Sequence, residues 1–417
     1  MPPISAQPVS WLPLVPPEVL ERFHVNERND SSRLKVCARL LQALYLAQQQ
    51  IPTGHHRGRN GEQRPLGSRL SPAAAKAGRN FLTKDIARLA HHILAYRELG
   101  AFLDRDRTLG NALSSTSLCL NLFGSLAQDP DLAAKVLRIL LPEQDIDAVT
   151  AVRFETSPGR GDATLTADRS AHDCCIWFRR KRRTRHGQRV GVLCIEMKYT
   201  EDLHESAPIK PGRYDDLADA SGLFKEPYHA ALRVNPLQQL FREHLLAQAA
   251  VMRGDWPSAI FVTVAPAVHD RAQRQADLYT AFLKPTLDGQ VPYRNITLEA
   301  WIDAIGTAGA TDAAAALFDR YLDWRKIDAL VSAAVQSCVA KWTTPKTKSL
   351  LPLEIAQQAA CRAAALSNSP RIRRVRYTRA AVPDPKPAGP TTSTRPASVL
   401  LDWPRKLRFL QHQGRST

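Results

Sequence analysis

Four short runs of apolar and β-branched residues divide the middle of the chain into segments of strand length. They cover Ala148–Phe154, Cys174–Phe178, Val190–Ile195 and Ala259–Ala265. Gly, Pro or charged residues separate the runs, a pattern that is typical of buried strands. The sequence therefore predicts a sheet that contains these four strands.

Helical periodicity dominates the segments around these runs, where apolar residues recur every three or four positions. Residues 55–71 are polar and contain Gly and Arg, so they predict a loop. Ser71 followed by Pro72 is a usual helix start. The predicted helices cover Arg33–Gln50, Pro72–Leu99, Leu109–Ala127, Asp131–Leu141, the segment after Pro236, and residues 268–283, 297–305 and 311–330.

The order of these elements favours an α/β fold with a mixed central sheet flanked by helices, since three neighbouring strands are followed by a helix and a returning strand. We divide the chain into three parts. Residues 1–71 form a partly helical amino-terminal extension, and residues 72–330 form the main domain. Residues 331–417 form a basic, Pro-containing tail that we expect to be mostly flexible. Its run Arg371–Arg379 is either a handle for phosphate backbones or part of a solvated tail without a role.

Charge narrows the class of partner. The 417 residues include 57 Lys and Arg against 40 Asp and Glu, which gives a formal net charge of +17. This excess favours a polyanion such as a nucleic acid, without showing what is done to it.

The cysteines and the hydropathy of the chain indicate the cellular compartment in which we expect the protein. The seven cysteines are scattered and include no C-x-x-C pair, so they indicate neither a disulfide framework nor structural zinc. Cys174, Cys175 and Cys194 lie in apolar runs, where we expect buried thiols. No apolar run approaches the roughly 20 residues that span a bilayer, and the Pro-rich start lacks signal-peptide features. We therefore expect a cytoplasmic protein with no membrane partner.

The candidate chemistry lies at the end of the third apolar run. Glu196 and Lys198 are two positions apart, so they project from the same face of a strand. A carboxylate there can hold a hard cation, and an ammonium can orient water and offset charge on a phosphate. Asp173 opens the preceding strand, and a hairpin would bring it close to Glu196. The sequence thus predicts a Mg²⁺ or Mn²⁺ site, and an ordinary salt bridge at a strand end is the alternative.

Two further groups of polar residues accompany this site. Gln238 and Gln239 each share a helix face with Arg242, and could position Lys198 or grip a phosphate; an ordinary solvated helix face is the alternative. The chain has no G-x-x-x-x-G-K-[ST] loop, so no nucleotide cofactor is indicated. The charged connection between the second and third strands is expected to hold a phosphate backbone through Arg179, Arg180, Lys181, Arg182 and Arg183.

This succession, a strand opened by Asp, a strand ending in Glu-x-Lys and a helix with Gln, resembles the PD-(D/E)XK nuclease superfamily. Short motifs spread over residues 80–330 look like one restriction-endonuclease-like branch of bacterial proteins. They are SSTSLCLNLFGSL (Ser114–Leu126), RFETSPGR (Arg153–Arg160), RSAHD (Arg169–Asp173), IEMKYTED (Ile195–Asp202) and QQLFREHLLA (Gln238–Ala247).

The resemblance implies roles for individual residues. Asp173 and Glu196 would be metal ligands, and Lys198 would be the catalytic lysine. Glu155 would add a ligand or a base, and Gln238 or Gln239 would take the helix role. The chain departs from the family pattern at His172, which stands where the family name has Pro. Asp162 is a competing acid in a looser context. Glu98 is one candidate for the acid that many members place on an amino-terminal helix, and an exposed helix charge is the alternative.

The resulting hypothesis is a metal-dependent endonuclease that hydrolyses DNA phosphodiester bonds, with restriction or defence expected from the resemblance alone. The alternative is a non-catalytic nucleic-acid-binding protein on the same fold. A disabled triad would favour that alternative, whereas all three residues are present. A nuclease that acts on RNA, or as a toxin on the host chromosome, is a third hypothesis. The oligomeric state stays open, including a homodimer.

Overall fold

The computed structural model of the chain describes residues 12–25, 32–58, 60–184, 187–201 and 211–343. Within these ranges it contains a two-stranded hairpin and a five-stranded sheet. The strands are β1 (Thr53–Arg57), β2 (Gln63–Leu70), β3 (Ile146–Thr156), β4 (His172–Arg180), β5 (Val190–Met197), β6 (Ala259–Ala265) and β7 (Tyr293–Thr297).

Helices make up most of the remaining described residues. They are α1 (Pro17–Arg22), α2 (Arg33–Gln48), α3 (Pro72–Lys76), α4 (Lys84–Ala95), α5 (Arg105–Gly110), α6 (Ser115–Gln128), α7 (Pro130–Leu140), α8 (Pro211–Ser221), α9 (Gln238–Arg253), α10 (Asp270–Phe282), α11 (Leu298–Thr307), α12 (Thr311–Tyr321) and α13 (Arg325–Thr343).

The central sheet has the order β3-β4-β5-β6-β7. The first three strands are antiparallel to one another, and β5, β6 and β7 are parallel. Antiparallel strands can be joined by a short turn, whereas parallel neighbours need a long crossover. The crossover between β5 and β6 contains α8 and α9, so it carries helices onto the sheet beside the end of β5.

The two faces of the sheet bury different layers. Ile195 and Met197 of β5 point into a core shared with α2, α6, α7, α11 and α12. Cys194 of the same strand points into a second core, which α8, α9 and α10 cover. Since successive side chains of a strand point to opposite faces, Glu196 and Lys198 lie on the α9 side. This three-layer arrangement confirms the predicted α/β fold with a mixed sheet flanked by helices.

The four predicted strands are all present, and β6 has the predicted bounds. The predicted buried thiols of Cys174, Cys175 and Cys194 are confirmed as well. β7 and α8 were not predicted. The five residues of β7 mix polar and apolar side chains and include two that are exposed, so they lack the apolar run that marks a buried strand.

Residues 55–71, which we expected to be a loop, form most of the β1–β2 hairpin. The prediction was wrong because the outer positions of this hairpin are polar. The buried residues of β2 are confined to its inner end, at Leu66, Gly67, Ser68 and Leu70. Gly67 is required there, since a Cβ atom at this position would overlap the carbonyl oxygen of Phe23.

Three predicted helices are interrupted. The segment Pro72–Leu99 is split into α3 and α4, because Gly78 adopts a φ of 71° and Thr83 caps a new helix through the amide of Ile86. The segment Leu109–Ala127 contains the end of α5 and most of α6. Residues 311–330 contain all of α12 and the start of α13, separated near Trp324.

Residues 331–343, assigned to a flexible tail, belong to α13. The remainder of the predicted tail lies outside the described residues, and the division of the chain into three parts stays a prediction. Within the described ranges, no helix has the length and apolarity required to cross a bilayer.

Candidate active site

Three carboxylates lie in one row across neighbouring strands of the central sheet. The antiparallel registers place Glu155 of β3 opposite Asp173 of β4, and Asp173 opposite Glu196 of β5. Glu196 pairs in turn with Thr263 of β6. We call Glu155, Asp173 and Glu196 the acid row. The strand pairing thus brings together the three acids that the sequence singled out.

Asp173 is held at the end of β4 by the neighbouring strand. Its Oδ2 accepts a hydrogen bond of 2.8 Å from the backbone amide of Met197. Burial raises the pKa of Asp173 well above its usual range, and the nearby carboxylates of Glu196 and Glu155 raise it further. A positive charge at this point would therefore be stabilised by the acids around it.

Lys198 supplies one such charge. It is buried, and its Nζ lies 2.8 Å from Oε1 of Glu196. The same ammonium donates to Oε1 of Gln239 on α9 over 2.8 Å. Burial disfavours the ammonium, but the carboxylates of Glu196, Glu243 and Glu201 together outweigh this effect and raise the pKa of Lys198. Lys198 is thus charged and fixed in position by two partners.

Gln239 connects the strand to a further acid. Its Nε2 donates to Oε1 of Glu196 over 2.6 Å and to Oε1 of Glu243 over 2.9 Å. Glu243 is buried, and its Oε2 has no hydrogen-bond partner among the described residues. Burial, with the charge of Glu196, raises the pKa of Glu243 well above its usual range. The sequence analysis missed Glu243, although it follows Gln239 by four residues, which places both on one helix face.

Glu201 fixes the chain that leaves β5, and its role was also missed. Its Oε2 accepts from the amides of Tyr199 and Thr200 at 2.7 and 2.9 Å. Its Oε1 accepts from the amide of Ser115, at the start of α6, at 3.2 Å and from Arg107 at 3.3 Å. Burial opposes the ionised form, but the Lys198 charge and these donors lower the pKa of Glu201. Glu201 therefore ties the backbone beyond Lys198 to α5 and α6.

Glu155 has an unusual backbone for a residue in a strand, with a φ of 51°. Such a conformation is costly for a residue other than glycine and persists only where surrounding contacts impose it. Here Arg160 donates to the carbonyl oxygen of Glu155 at 2.6 Å and to its Oε1 at 3.3 Å. Burial raises the pKa of the Glu155 carboxyl. Arg160 also donates to Oε2 of Glu98 at 2.9 Å, so Glu98 contacts the acid row through this arginine.

The other two polar residues that the sequence singled out on α9, Gln238 and Arg242, have hydrogen-bond partners other than Lys198. Gln238 donates to Oδ1 of Asn235 at 2.7 Å, so Gln239, and not Gln238, is the glutamine beside Lys198. Arg242 donates to Oγ of Ser170 at 2.7 Å and to Oδ2 of Asp168 at 3.4 Å. Both partners lie in the connection between β3 and β4, so Arg242 joins this connection to α9.

The competing acid Asp162 lies away from the acid row. It pairs with Arg253 at 2.5 Å and accepts from the hydroxyl of Thr164 at 2.7 Å. Hydrogen bonds from Thr164, with that of Arg253, lower the pKa of Asp162 to about 2. These contacts indicate that Asp162 stabilises the connection between β3 and β4 and joins it to the end of α9.

The basic connection between β4 and β5 does not meet the acid row. Arg179 is six residues beyond Asp173 along β4, a separation of about 20 Å at the usual rise of a strand. Arg179 pairs with Asp147 at 2.8 Å, and Arg182 pairs with Asp145 at 3.2 Å. Further contacts of this connection include those from Arg180 to Gln144 and Ser258, from Arg183 to the carbonyl of Gly187, and from the amide of Lys181 to the carbonyl of Asp145.

The donors of the acid row fit a hard divalent cation. Carboxylate oxygens are the ligands that Mg²⁺ prefers, with waters and substrate oxygens completing its coordination. Burial is the largest cause of the raised pKa of Asp173, and the carboxylates of Glu196 and Glu155 raise it by more than Lys198 lowers it. No set of three or more His, Cys, Asp or Glu side chains in the described residues is placed to hold a metal ion. The fit therefore rests on Asp173 and Glu196, with Glu155 beside them.

Comparison with known proteins agrees with this geometry. Residues 29–323, which are most of the chain, match the family model of the PD-(D/E)XK nuclease superfamily. No match was found among curated proteins or among solved structures. The matched range contains the acid row, Lys198 and Gln239, and it contains the helix, three strands, helix and returning strand that surround them. The chain therefore belongs to the PD-(D/E)XK nuclease superfamily.

Proposed function

We propose that this protein is an endonuclease that hydrolyses DNA phosphodiester bonds with the help of Mg²⁺ or Mn²⁺. The observation that carries the proposal is the acid row beside a buried, charged Lys198. Members of this superfamily generally use divalent metal ions, and a nucleic acid is the substrate that the family implies. A role in restriction or defence belongs to the proposal only through the family resemblance.

The residues divide the work between binding and charge stabilisation. Asp173 and Glu196 would hold the cation, which polarises the phosphate and makes a bound water more acidic. Lys198 orients the attacking water and stabilises negative charge on the phosphate oxygens. The water adds to phosphorus, the bond to one bridging oxygen breaks, and the leaving oxygen takes up a proton. Gln239 holds Lys198 and Glu196 in register during this step.

Cleavage of supercoiled plasmid at low salt tests the proposal. Wild type is incubated with Mg²⁺, with Mn²⁺ and with EDTA, beside Asp173→Asn and Glu196→Gln. Asp147→Asn is the matched control, because Asp147 is an acid at the opposite end of the sheet, paired with Arg179. We expect metal-dependent nicking that falls at least about 100-fold in the two acid-row variants and persists in the control.

Two results would contradict the proposal. Equal nicking by wild type and Asp173→Asn would move the chemistry away from the acid row. No nicking of any plasmid, with or without base modification, together with retained DNA binding, would identify a non-catalytic nucleic-acid-binding protein. An RNA duplex of the same sequence, tested in parallel, reports whether RNA is cut instead.

A further inference from the structure

A second concentration of positive charge lies in a part of the chain where the sequence predicted only a polar loop. A cavity of about 430 Å³ opens between the β1–β2 hairpin and helices α3 and α5. Five basic residues line it: His55, Arg57, Arg69, Lys76 and Arg105. Asp106 is the one carboxylate in the lining. We call this cavity the basic pocket.

The cations of the basic pocket are not neutralised by the fold. No ion pair within the described residues uses Arg57, Arg69, Lys76 or Arg105, and three of these side chains are exposed, Arg69 being half-buried. Like charges that converge without partners repel one another, and they attract an anion from solution. The cations of the basic pocket are therefore available to bind an anionic group.

The basic pocket also lies at the end of the molecule that holds the candidate active site. Arg105 and Asp106 begin α5, and the next residue, Arg107, contacts Glu201 at 3.3 Å. Glu201 holds the backbone directly after Lys198. Neighbouring residues at the start of α5 thus line the basic pocket and contact Glu201, which holds the segment directly after β5.

We propose that the basic pocket binds the phosphodiester backbone of the nucleic-acid substrate, on one side of the phosphate that is cut. The inference rests on the proposed nuclease function for the identity of the polyanion. Four fixed cations that converge on a cavity match successive phosphates of a strand, which carry one negative charge each. The cavity can admit a phosphate group, and Arg57 and Arg69 can each donate two parallel hydrogen bonds to its oxygens.

Binding measured without metal tests this inference separately from cleavage. The full chain is titrated in EDTA with a DNA duplex and with an RNA duplex of the same sequence, over a range of salt concentrations. One variant replaces Arg57, Arg69, Lys76 and Arg105 by Gln. A charge-matched variant replaces Arg179, Lys181, Arg182 and Arg183 by Gln, which removes the rival basic surface at the other end of the sheet.

We expect the basic-pocket variant to lower affinity for the preferred duplex by about 30-fold or more near 0.1 M salt. We also expect it to reduce the slope of log affinity against log salt by about 3, since each lost phosphate contact contributes roughly 0.9. The charge-matched variant should change both quantities much less, because two of its arginines are already paired with carboxylates. If the four-residue variant fails to fold, the exposed pair Arg57→Gln and Lys76→Gln should give about half of the slope change.

The outcomes separate the two proposals. An equal or larger loss of affinity in the charge-matched variant, or no loss in the basic-pocket variant, overturns the basic pocket even if wild type cuts DNA. A selective loss in the basic-pocket variant supports the pocket even if wild type cuts nothing. Whichever duplex binds more tightly identifies the polyanion that supplies the phosphates.

Discussion

The two ends of strand β4 differ in how their charges are balanced. At one end, Asp173 is buried beside Glu196 and Glu155, and their close cations are the Lys198 ammonium and the Arg160 guanidinium, which pairs with Glu155. At the other end, Arg179 is exposed and paired with Asp147, and Arg182 is paired with Asp145. The basic end carries more charged side chains, and two of its five cations have carboxylate partners. The acidic end holds three carboxylates beside two cations.

This difference shows that a run of charged residues in a sequence does not identify a binding surface until the partners of those residues in the fold are known. The five consecutive cations Arg179–Arg183 are the most conspicuous charged feature of the chain, and several of them have partners within the protein. The cations of the basic pocket come from four separate elements and form no run. An interaction site is better recognised by charge that the fold leaves without a partner.

Removal of the Lys198 ammonium, the cation that contacts Glu196, should have the largest effect. Lys198→Met keeps the length of the side chain but leaves Glu196 and Gln239 without the ammonium. We expect plasmid nicking to fall by about 100- to 1000-fold, the range found when one group that stabilises transition-state charge is removed. Lys135→Met, on the exposed side of α7, is the control. A loss of only a few-fold, with folding retained, would mean that the acidic end is not the catalytic centre.

A smaller effect is expected at Glu243, which accepts a hydrogen bond from the same Gln239 amide group that contacts Lys198. Burial raises the pKa of Glu243 and so favours its neutral form, and Glu243→Gln should therefore keep cleavage within about threefold of wild type. Glu243→Leu removes the acceptor of Gln239, and we expect about a tenfold lower kcat with little change in KM. This split identifies a positioning residue. Equal losses in both variants would instead indicate that Glu243 acts as an ionised acid.

The smallest effect concerns stability at His172, the residue beside Asp173. This imidazole is fully buried, and neither ring nitrogen has a hydrogen-bond partner in the described part of the chain. Burial lowers the pKa of His172 to about 3. In the unfolded chain the pKa of His172 is ordinary, near 6.5, so between about pH 6.5 and 3 this imidazole binds a proton only when the chain is unfolded. The free energy of unfolding therefore falls as the pH drops through this range.

Replacement by an aromatic ring should reduce this dependence. We expect His172→Phe to lower the slope of unfolding free energy against pH by up to about 1.4 kcal/mol per pH unit between pH 6 and 4. Denaturant unfolding at several pH values measures the slope. Part of the slope should remain, because burial also lowers the pKa of His244 to about 4. An unchanged slope would show that His172 takes up its proton in the folded protein as well.

Local signals in the sequence were sufficient for four of the five strands of the central sheet and for the proximity of Asp173 to Glu196. Apolar runs marked β3, β4, β5 and β6, and the period of two placed Glu196 and Lys198 on one face. Antiparallel pairing of neighbouring strands then implied that Asp173 lies near Glu196. These inferences depend on neighbours along the chain or on one short connection, which is why the sequence alone supports them.

Contacts between distant segments could not be predicted in this way. The choice between Gln238 and Gln239 depends on the residue at which α9 begins, and helix starts are poorly fixed by sequence. The bonds of Glu201 to α6 join residues that are 86 positions apart. The basic pocket likewise requires four elements to meet. Each depends on tertiary packing, for which periodicity gives no signal.

The crossover between β5 and β6 has a consequence for the order in which the site matures. Gln239 follows Lys198 by 41 residues. A nascent chain therefore carries the whole acid row and its lysine before it carries the amide that fixes them, and closure of this long loop costs more chain entropy than closure of a short hairpin. The final arrangement of Lys198 thus forms only when α9 docks on the sheet. A chain still under synthesis would have the acids of a nuclease without its aligned lysine, which delays activity until folding is nearly complete.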